Sequence, residues 1–170
     1  MWEKAMASLD IGKDAICNWI RRTFPVDSSI LDVGACDGKW RNLLHEYPNV
    51  DAVEIFPPNA SRIKPMYRTV FCADVYDLQY DDYDLIIFGD VIEHMTVERA
   101  QRVLQYAYPR CKDMVIGVPY QYKQDALYGN PYEKHIQDDL TEEIFDSRYR
   151  GFSLMLSVFN YAYYHKEKRI

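Results

Sequence analysis

The sequence predicts an α/β protein with a mostly parallel sheet that helices cover on both faces. Five short apolar runs, rich in valine and isoleucine, have the length of buried strands rather than of helices. Amphipathic helical segments alternate with these runs, and this alternation is typical of parallel sheets. The five runs are residues 30–33, 50–55, 69–72, 85–88 and 114–118.

Helical patterns occur before and between these strands. In residues 1–24 the apolar side chains recur at intervals of three and four, which predicts N-terminal helices that end before Pro25. The same spacing predicts a helix over residues 40–47 and another over residues 97–107. Thr96 precedes the latter helix and is a favourable N-cap residue.

The C-terminal part has a different pattern. Residues 119–140 lack periodicity, and an irregular loop of that length inside a compact domain is usually functional. A short helix is expected near Thr141. Residues 151–165 are mainly strand formers with the polar Asn160 among them, which predicts a hairpin. We therefore expect a single domain over residues 1–170 with seven strands, five parallel ones and a C-terminal antiparallel hairpin.

The composition is that of an acidic globular protein. The 170 residues include 20 Lys and Arg against 26 Asp and Glu, and 48% are hydrophobic. This acidic balance argues against tight nonspecific binding to nucleic acid, which depends on neutralising phosphates. No apolar run approaches the ~20 residues of a membrane span, and the N-terminus lacks the apolar core of a signal peptide. We expect a cytoplasmic monomer or homodimer that binds neither membranes nor nucleic acid.

The strongest functional signal is the segment SSILDVGACDGKW, residues 28–40. There a buried strand ends in Asp32, Gly34 and Gly38 before a helix begins. Glycines in such a turn let the backbone approach a ligand closely, and ligands of parallel sheets bind beyond the C-terminal ends of the strands. The spacing D-x-G-x-x-x-G differs from the G-x-G-x-x-G of dinucleotide-binding proteins and therefore argues against NAD.

Acidic residues follow the next strands at the same edge. Glu54 closes the second run 20 residues after Gly34, where a carboxylate can bind a ribose diol. Asp74 and Val75 follow the third run, and there the acid can accept from an exocyclic amine. A loop aspartate that caps a turn is the alternative interpretation. The fourth run leads into the string GDVIEHM, residues 89–95.

Together, the segments LDVGACDGKW, VDAVEIF, ADVYDL and YDLIIFGDVIEHM resemble the consecutive cofactor motifs of class I S-adenosylmethionine (SAM)-dependent methyltransferases. The segment GNPYEKHIQDDLTEEIF resembles one found in small bacterial and phage members, so the likeness extends to about Phe145. It implies a Rossmann-like seven-stranded sheet, SAM as cofactor and S-adenosylhomocysteine (SAH) as product. Two departures are Cys36, where many members have glycine, and the short YDLQYDD in place of the usual helix before the fourth strand.

The resemblance also implies roles for individual residues. The loop after the first strand would hold the methionine end of SAM, Glu54 the ribose, and Asp74 with Val75 the adenine. Asp90 would lie near the sulfonium. The full set of expected cofactor-binding residues is Asp32, Gly34, Ala35, Cys36, Gly38, Glu54, Ile55, Asp74, Val75 and Asp90.

Methyl transfer from a sulfonium mainly requires orientation and a dry site, because the donor is already activated. A general base is needed only if the acceptor must lose a proton early. Candidates for catalysis are His94 and His135 as bases, with Asp90 beside them; a structural role is the alternative for His94. We expect no bound metal. The alternative is a divalent-metal site of Asp90, Glu93, His94 and His135, as the related E-x-x-E-H string forms in small-RNA 2′-O-methyltransferases.

The expected function is SAM-dependent O-methylation of a small molecule or a glycan precursor, with residues 119–140 on the acceptor side. The tyrosines of this loop can form an aromatic wall for a ring or simply pack the loop as a lid; they are Tyr120, Tyr122, Tyr128 and Tyr132. Three alternatives stay open. These are a metal-assisted RNA 2′-O-methyltransferase-like enzyme, a nicotinamide-dependent oxidoreductase and a SAM-binding partner subunit without catalysis.

Overall fold

The computed structural model describes residues 10–167, which form a seven-stranded mixed sheet with helices on both faces. The part of the predicted helical segment before residue 10 lies outside the described residues. The strands are β1 (Ile30–Val33), β2 (Val50–Glu54), β3 (Thr69–Cys72), β4 (Tyr83–Gly89), β5 (Cys111–Pro119), β6 (Phe152–Val158) and β7 (Tyr161–Lys166). The α-helices are α1 (Lys13–Thr23), α2 (Lys39–Leu43), α3 (Pro57–Ile63), α4 (Val97–Ala107) and α5 (Glu142–Arg148).

The strand order in the sheet is β3-β2-β1-β4-β5-β7-β6. Strands β1 to β5 pair in parallel, whereas β7 is antiparallel to both β5 and β6. The predicted five parallel strands and C-terminal hairpin are therefore confirmed. The strand order reverses between β1 and β4, and this arrangement opens a crevice beyond their C-terminal ends.

Several boundaries differ from those predicted. Strands β4 and β5 are longer than their apolar runs, because polar residues such as Asp84 extend them; its carboxylate accepts the Ser29 N–H at 2.7 Å. Helix α2 ends at Leu43, earlier than predicted. Helix α3 was not predicted. It begins with Pro57, which is tolerated there because the first helical residues need no intrahelical N–H bond.

Alternate residues of the strands face two separate apolar layers. On β4, Leu85 and Ile87 pack in the layer that contains the buried residues of α1, while Ile86 and Phe88 pack in the layer with α4 and α5. The side chain of Thr96 accepts the Arg99 N–H, which confirms the predicted N-cap of α4. No helix within residues 10–167 has the length and apolar character that a membrane crossing needs.

Helix α5 is anchored to the hairpin by an aromatic stack. The rings of Phe145 and Tyr164 lie 3.6 Å apart at their centroids with an angle of 11° between their planes, and both residues are fully buried. Tyr164 also bonds through its hydroxyl to Tyr120 at the start of the irregular loop. This stack therefore links the C-terminal hairpin, α5 and the loop that follows β5.

Replacement of Phe145 with alanine is expected to lower the free energy of unfolding by about 3–5 kcal/mol, because it leaves a cavity against Tyr164. Urea unfolding followed by circular dichroism measures this change. The control is Phe159→Ala at the hairpin turn, where the side chain is 90% exposed and a change within about 0.5 kcal/mol is expected. Equal small effects of the two substitutions would contradict the stack as an anchor.

Candidate functional site

A cavity of about 320 Å³ lies at the C-terminal ends of β1, β2 and β4, beneath the loop that follows β5. Six of the ten expected cofactor-binding residues line it: Gly34, Cys36, Glu54, Ile55, Asp74 and Asp90. Two wider surface grooves, of about 810 and 980 Å³, contain none of the ten. The predicted motifs therefore converge on one cavity, although four of their residues do not line it.

The loop between β1 and α2 has a backbone that depends on glycine. Gly34 and Gly38 have φ angles of 70° and 79°, in the left-handed region. A Cβ atom on Gly34 would lie 2.7 Å from Cγ2 of Val91, and one on Gly38 would lie 2.5 Å from Cε of Met66. Side chains at either position would therefore be strained and crowded.

Cys36 occupies the same loop with a φ of 49°, also in the left-handed region. Its thiol faces the cavity wall rather than the core, where Sγ accepts from Asn59 at 3.6 Å and lies 3.9 Å from Oε1 of Glu133. Burial, followed by the nearby charge of Glu133, raises the pKa of this thiol to about 12. The thiol is therefore neutral and poorly nucleophilic.

Glu54 connects the loop after β1 to the end of β2. Its Oε2 accepts the Cys36 N–H at 2.8 Å, and its Oε1 accepts the Phe56 N–H at the same distance. Burial raises the pKa of Glu54, and these two backbone bonds oppose that shift. Each carboxylate oxygen keeps a further lone pair, so a carboxylate of fixed orientation faces the cavity and can accept two hydroxyl hydrogens.

Asp32, Ala35, Gly38 and Val75 do not line the cavity. Asp32 is buried beneath the loop, where Oδ2 accepts the Tyr67 hydroxyl at 2.6 Å and Oδ1 has no hydrogen-bond partner within the described residues. Burial raises the pKa of Asp32 to about 7. Val75 packs into the apolar layer beside α4. The geometry gives Asp32 and Val75 supporting positions rather than cavity contacts.

Asp74 lines the cavity, but its carboxylate is already engaged. One oxygen accepts the Tyr76 N–H at 2.9 Å, and the other pairs with the guanidinium of Arg99 on α4. Arg99 in turn lies over the ring of Tyr76, 4.3 Å from its centroid. The bond to the Tyr76 N–H is the turn cap that was the alternative interpretation of Asp74. Arg99 also lines the cavity and was not predicted from the sequence.

Asp90 follows β4 with a φ of 59° and binds two buried groups. The Tyr161 hydroxyl donates to Oδ1, and Nζ of Lys13 lies 3.5 Å from Oδ2. Lys13 is 1% exposed, and burial lowers its pKa while Asp90 opposes that shift. Lys13 was not predicted from the sequence. The signal was its spacing, three and four residues before Ile16 and Cys17 on the buried face of α1.

His94 and His135 form an edge-to-face pair with ring centroids 4.7 Å apart. Nδ1 of His94 lies 3.1 Å from the Lys134 carbonyl oxygen, and Nδ1 of His135 lies 2.7 Å from that of Tyr122. Since a carbonyl oxygen only accepts, each Nδ1 carries the hydrogen and each Nε2 keeps a lone pair. Burial and the charge of His135 lower the pKa of His94 to about 4. His94 lines the cavity, whereas His135 lies behind it.

Glu93 completes this group. It is fully buried, and within residues 10–167 neither carboxylate oxygen has a hydrogen-bond partner. Burial, followed by the charge of Asp90, raises the pKa of Glu93 well above its usual range. Glu93, His94 and His135 each offer one ligand atom, and these atoms lie within 4.8 Å of one another. This arrangement suits either a protonated carboxyl group or a divalent cation.

The loop of residues 119–140 is held over the cavity by backbone hydrogen bonds to Glu93. The N–H groups of Ile136 and Gln137 both donate to the Glu93 carbonyl oxygen, at 2.8 and 2.9 Å. Of the loop tyrosines, Tyr132 lines the cavity and is 48% exposed, whereas Tyr120 bonds inward to Tyr164. The loop therefore contributes both an aromatic lining and a packed lid.

Glu133 is a further cavity residue that the sequence analysis quoted within GNPYEKH but did not assign. Its Oε1 accepts from Nδ2 of Asn130 at 3.2 Å. Burial raises the pKa of Glu133, and the charges of Glu54 and Asp90 raise it further. The only indication of a functional role in the sequence was that Glu133 lies in a loop after the C-terminal end of a strand. Other acidic residues of the loop share that position, so it does not single out Glu133.

Comparisons with known proteins agree with this geometry. The family model described as Methyltransferase domain matches residues 31–113. An S-adenosylmethionine-dependent methyltransferase from Clostridium acetobutylicum is 13% identical, with a TM-score of 0.70 over 92% of this chain and 90% of that one. The methyltransferase domain of bacterial CtHen1-C is 16% identical, with a TM-score of 0.68 over 92% of this chain and 96% of that one. These likenesses are of fold.

A third likeness covers less of both chains. The sugar N-methyltransferase KedS8 from Streptoalloteichus is 19% identical with a TM-score of 0.51, over 61% of this chain. The present chain spans 45% of the length of that protein. No curated protein matches the sequence of the chain.

The buried carboxyl of Asp32 generates a pH-dependent prediction. Because its pKa is about 7 in the folded protein and near 3.8 when unfolded, folding favours the protonated form. Its contribution to stability is therefore present at low pH and is lost as the pH rises from about 4 to 7, by on the order of 4 kcal/mol. Asp32→Asn removes this titration, so its stability relative to the wild type should increase over that interval.

Urea unfolding of both proteins at several pH values between 4.5 and 7.5 measures the difference. All other titrating groups are shared and cancel in the comparison. A difference that stays constant with pH would show that Asp32 titrates alike in the folded and unfolded chains.

Proposed function

We propose that this protein, a methyltransferase with the class I SAM-dependent fold, transfers the methyl group of SAM to a hydroxyl of a small molecule or glycan precursor. One observation carries the cofactor assignment. The Glu54 carboxylate is fixed at the cavity by the Cys36 and Phe56 N–H groups, beside the glycine-dependent loop after β1. A nucleoside is typically bound in this way, with a rigid carboxylate at the ribose hydroxyls and a glycine-containing loop whose backbone comes close to the ligand.

The residues present fit SAM in chemistry as well as position. In the proposal, Glu54 accepts the ribose hydroxyls, and Ile55 with Asp74 lies at the adenine end. Gly34 and Cys36 bring the loop after β1 to the methionine end. Asp32, Ala35 and Val75 support these contacts from behind, since they are buried outside the cavity lining.

When bound, SAM supplies an electrophilic methyl group on its sulfonium, so the protein need not activate the donor. The protein contributes by orienting both reactants and by excluding water. The loop of residues 119–140 serves the second purpose, because its backbone is bonded to Glu93 directly beneath the cavity. Asp90, held by Lys13 and Tyr161, keeps a fixed position in the cavity wall.

The acceptor assignment rests on the polar and aromatic groups around the open side of the cavity. Tyr132 and Ile136 line it and are about half exposed, so they offer a surface on which a ring can stack. His94 is neutral and lines the same cavity, whereas His135 does not line it, so His94 is the better placed base for an acceptor hydroxyl. In this arrangement His135 positions His94.

The cofactor assignment is tested by calorimetric titration of SAM, SAH and NADH into the wild type and Glu54→Gln. We expect SAM and SAH to bind the wild type, and the variant to bind both at least ten times more weakly, because a charge-assisted bond is lost. Glu98→Gln, an exposed glutamate on α4, is the matched control and should bind as the wild type does.

Three results would contradict parts of this proposal. Preferential binding of NADH would support the nicotinamide alternative instead. Unchanged SAM affinity in Glu54→Gln would remove Glu54 from the site. Binding of SAM without conversion to SAH across a broad panel of hydroxyl acceptors would favour the partner subunit without catalysis.

A second candidate is metal-assisted methyl transfer to a hydroxyl, the alternative that includes RNA 2′-O-methylation. It is favoured by the three clustered groups of Glu93, His94 and His135. Both imidazoles are oriented by bonds from Nδ1 to backbone carbonyls, as metal-binding histidines commonly are. If a divalent ion binds there, Glu93, His94 and His135 would hold it, and it would act as a Lewis acid on the acceptor oxygen.

The metal candidate predicts that MnCl2 binds the EDTA-treated wild type and that His135→Ala binds at least about tenfold more weakly. Manganese electron paramagnetic resonance measures free ion directly and needs no acceptor. His45→Ala, whose side chain is 80% exposed, is the control. Equal manganese binding by all three proteins, or none by the wild type, would leave His94 as base without a metal.

A further inference from the structure

Lys13 is the only lysine or arginine among residues 10–167 that is buried. Its side chain is 1% exposed and shares the buried face of α1 with Ile16 and Ile20, which pack in an apolar layer. Apolar side chains occupy such positions without electrostatic cost, whereas a buried ammonium needs a partner of opposite charge. That partner is Asp90, a residue of the cavity wall.

The ammonium of Lys13 lies between two aromatic rings. Nζ is 5.2 Å from the ring centroid of Trp40 and 5.4 Å from that of Tyr161, and a cation at such a distance is attracted to an aromatic face. The chain just before α1 is held as well, because the Tyr163 hydroxyl donates to the Ile11 carbonyl oxygen at 2.7 Å. Lys13 therefore approaches the cavity wall from a fixed direction and lies outside the cavity lining.

Asp90 is held by three elements of the fold. Its N–H donates to the Gly117 carbonyl oxygen on β5 at 3.0 Å. Its Oδ1 accepts the Tyr161 hydroxyl, and its Oδ2 lies 3.5 Å from Nζ of Lys13. The side chain is 12% exposed and lines the cavity. Because each carboxylate oxygen has two lone pairs, these contacts leave acceptor capacity for a ligand, and Lys13 and Tyr161 fix its direction.

We propose that Lys13 is a positioning residue for the cofactor, which holds the Asp90 carboxylate in the orientation that binds SAM and SAH and touches neither ligand itself. The inference rests on the proposed function, because it takes these ligands as the occupants of the cavity. A buried ion pair seldom stabilises a fold more than apolar residues of similar volume would. The pair therefore acts on the direction of the Asp90 carboxylate, and it makes α1 part of the site although no residue of α1 lines the cavity.

The test is a double-mutant cycle on Lys13 and Asp90. Calorimetry gives the dissociation constants of SAM and SAH for the wild type, Lys13→Met, Asp90→Asn and the variant with both substitutions. We expect Lys13→Met to bind both ligands about tenfold more weakly, the loss expected for one misdirected charge-assisted hydrogen bond. In the Asp90→Asn background, Lys13→Met should weaken neither ligand further, because Lys13 acts only through the carboxylate.

Urea unfolding of the same proteins separates positioning from support of the fold. Each single substitution leaves one buried charge without its partner and should lower the urea midpoint. The double variant removes both charges and should regain most of that loss, whereas its ligand affinity should stay low. Lys112→Met is the matched control, since Lys112 pairs with Asp84 at 2.7 Å near the opposite end of β4 and its side chain is 78% exposed. This control should bind both ligands as the wild type does.

Three results would overturn the inference. Wild-type affinity in Lys13→Met would show that Asp90 keeps its orientation without the ammonium. Affinity losses that add in the double variant would show that Lys13 acts on the ligand by a route other than Asp90. Affinity that recovers in the double variant together with stability would assign Lys13 to the fold alone, and this comparison stays decisive where a single variant does not fold. Wild-type protein that binds neither ligand would refute the proposed function, and the inference with it.

Discussion

The bond between the Glu54 carboxylate and the Cys36 N–H is the constraint on which the candidate site depends. It joins the end of β2 to the loop after β1. Parallel pairing holds the two strands side by side as far as Val33 and Val53, and beyond these residues the Glu54 bond holds the two segments together. The left-handed backbone at Gly34 and Gly38 directs that N–H toward Glu54 instead of continuing the strand. Without this bond Oε2 of the buried Glu54 carboxylate and the N–H of half-buried Cys36 would each lose their partner, and each loss would cost free energy.

The sheet could be predicted from the sequence because its signals are local. Buried parallel strands are apolar on both faces, so short runs separated by amphipathic helices define them. Strand β3 was expected to be buried as well, but it lies at the edge of the sheet and its residues are exposed or half-buried. Strand ends were less certain, since Asp84 extends β4 through a side-chain bond to Ser29 that no run of apolar residues indicates. Helix α3 was missed because Pro57 resembles a loop residue, although proline is compatible with a first helical turn.

Residues that follow strand ends could be placed at the cavity from the sequence, whereas residues that reach it from elsewhere could not. Glu54 and Asp90 lie at the cavity because parallel strands place their C-terminal ends at one edge. Lys13 on α1 contacts the cavity residue Asp90 from behind the cavity, and Glu133 lines the cavity from the loop after β5. The contacts of both residues span long distances in the sequence. Asp32 lies beneath the cavity instead of lining it, because a motif residue on a strand can face inward, where it binds Tyr67.

The acidic residues around the cavity differ in the partners that stabilise their charge. Asp74 and Asp90 have cations, and Glu54 has backbone amides. Glu93 has neither, so burial favours its protonated form or a bound cation between it and the two histidines. Glu133 has only weak donors and faces the open cavity, where its remaining partner must come from solvent or ligand.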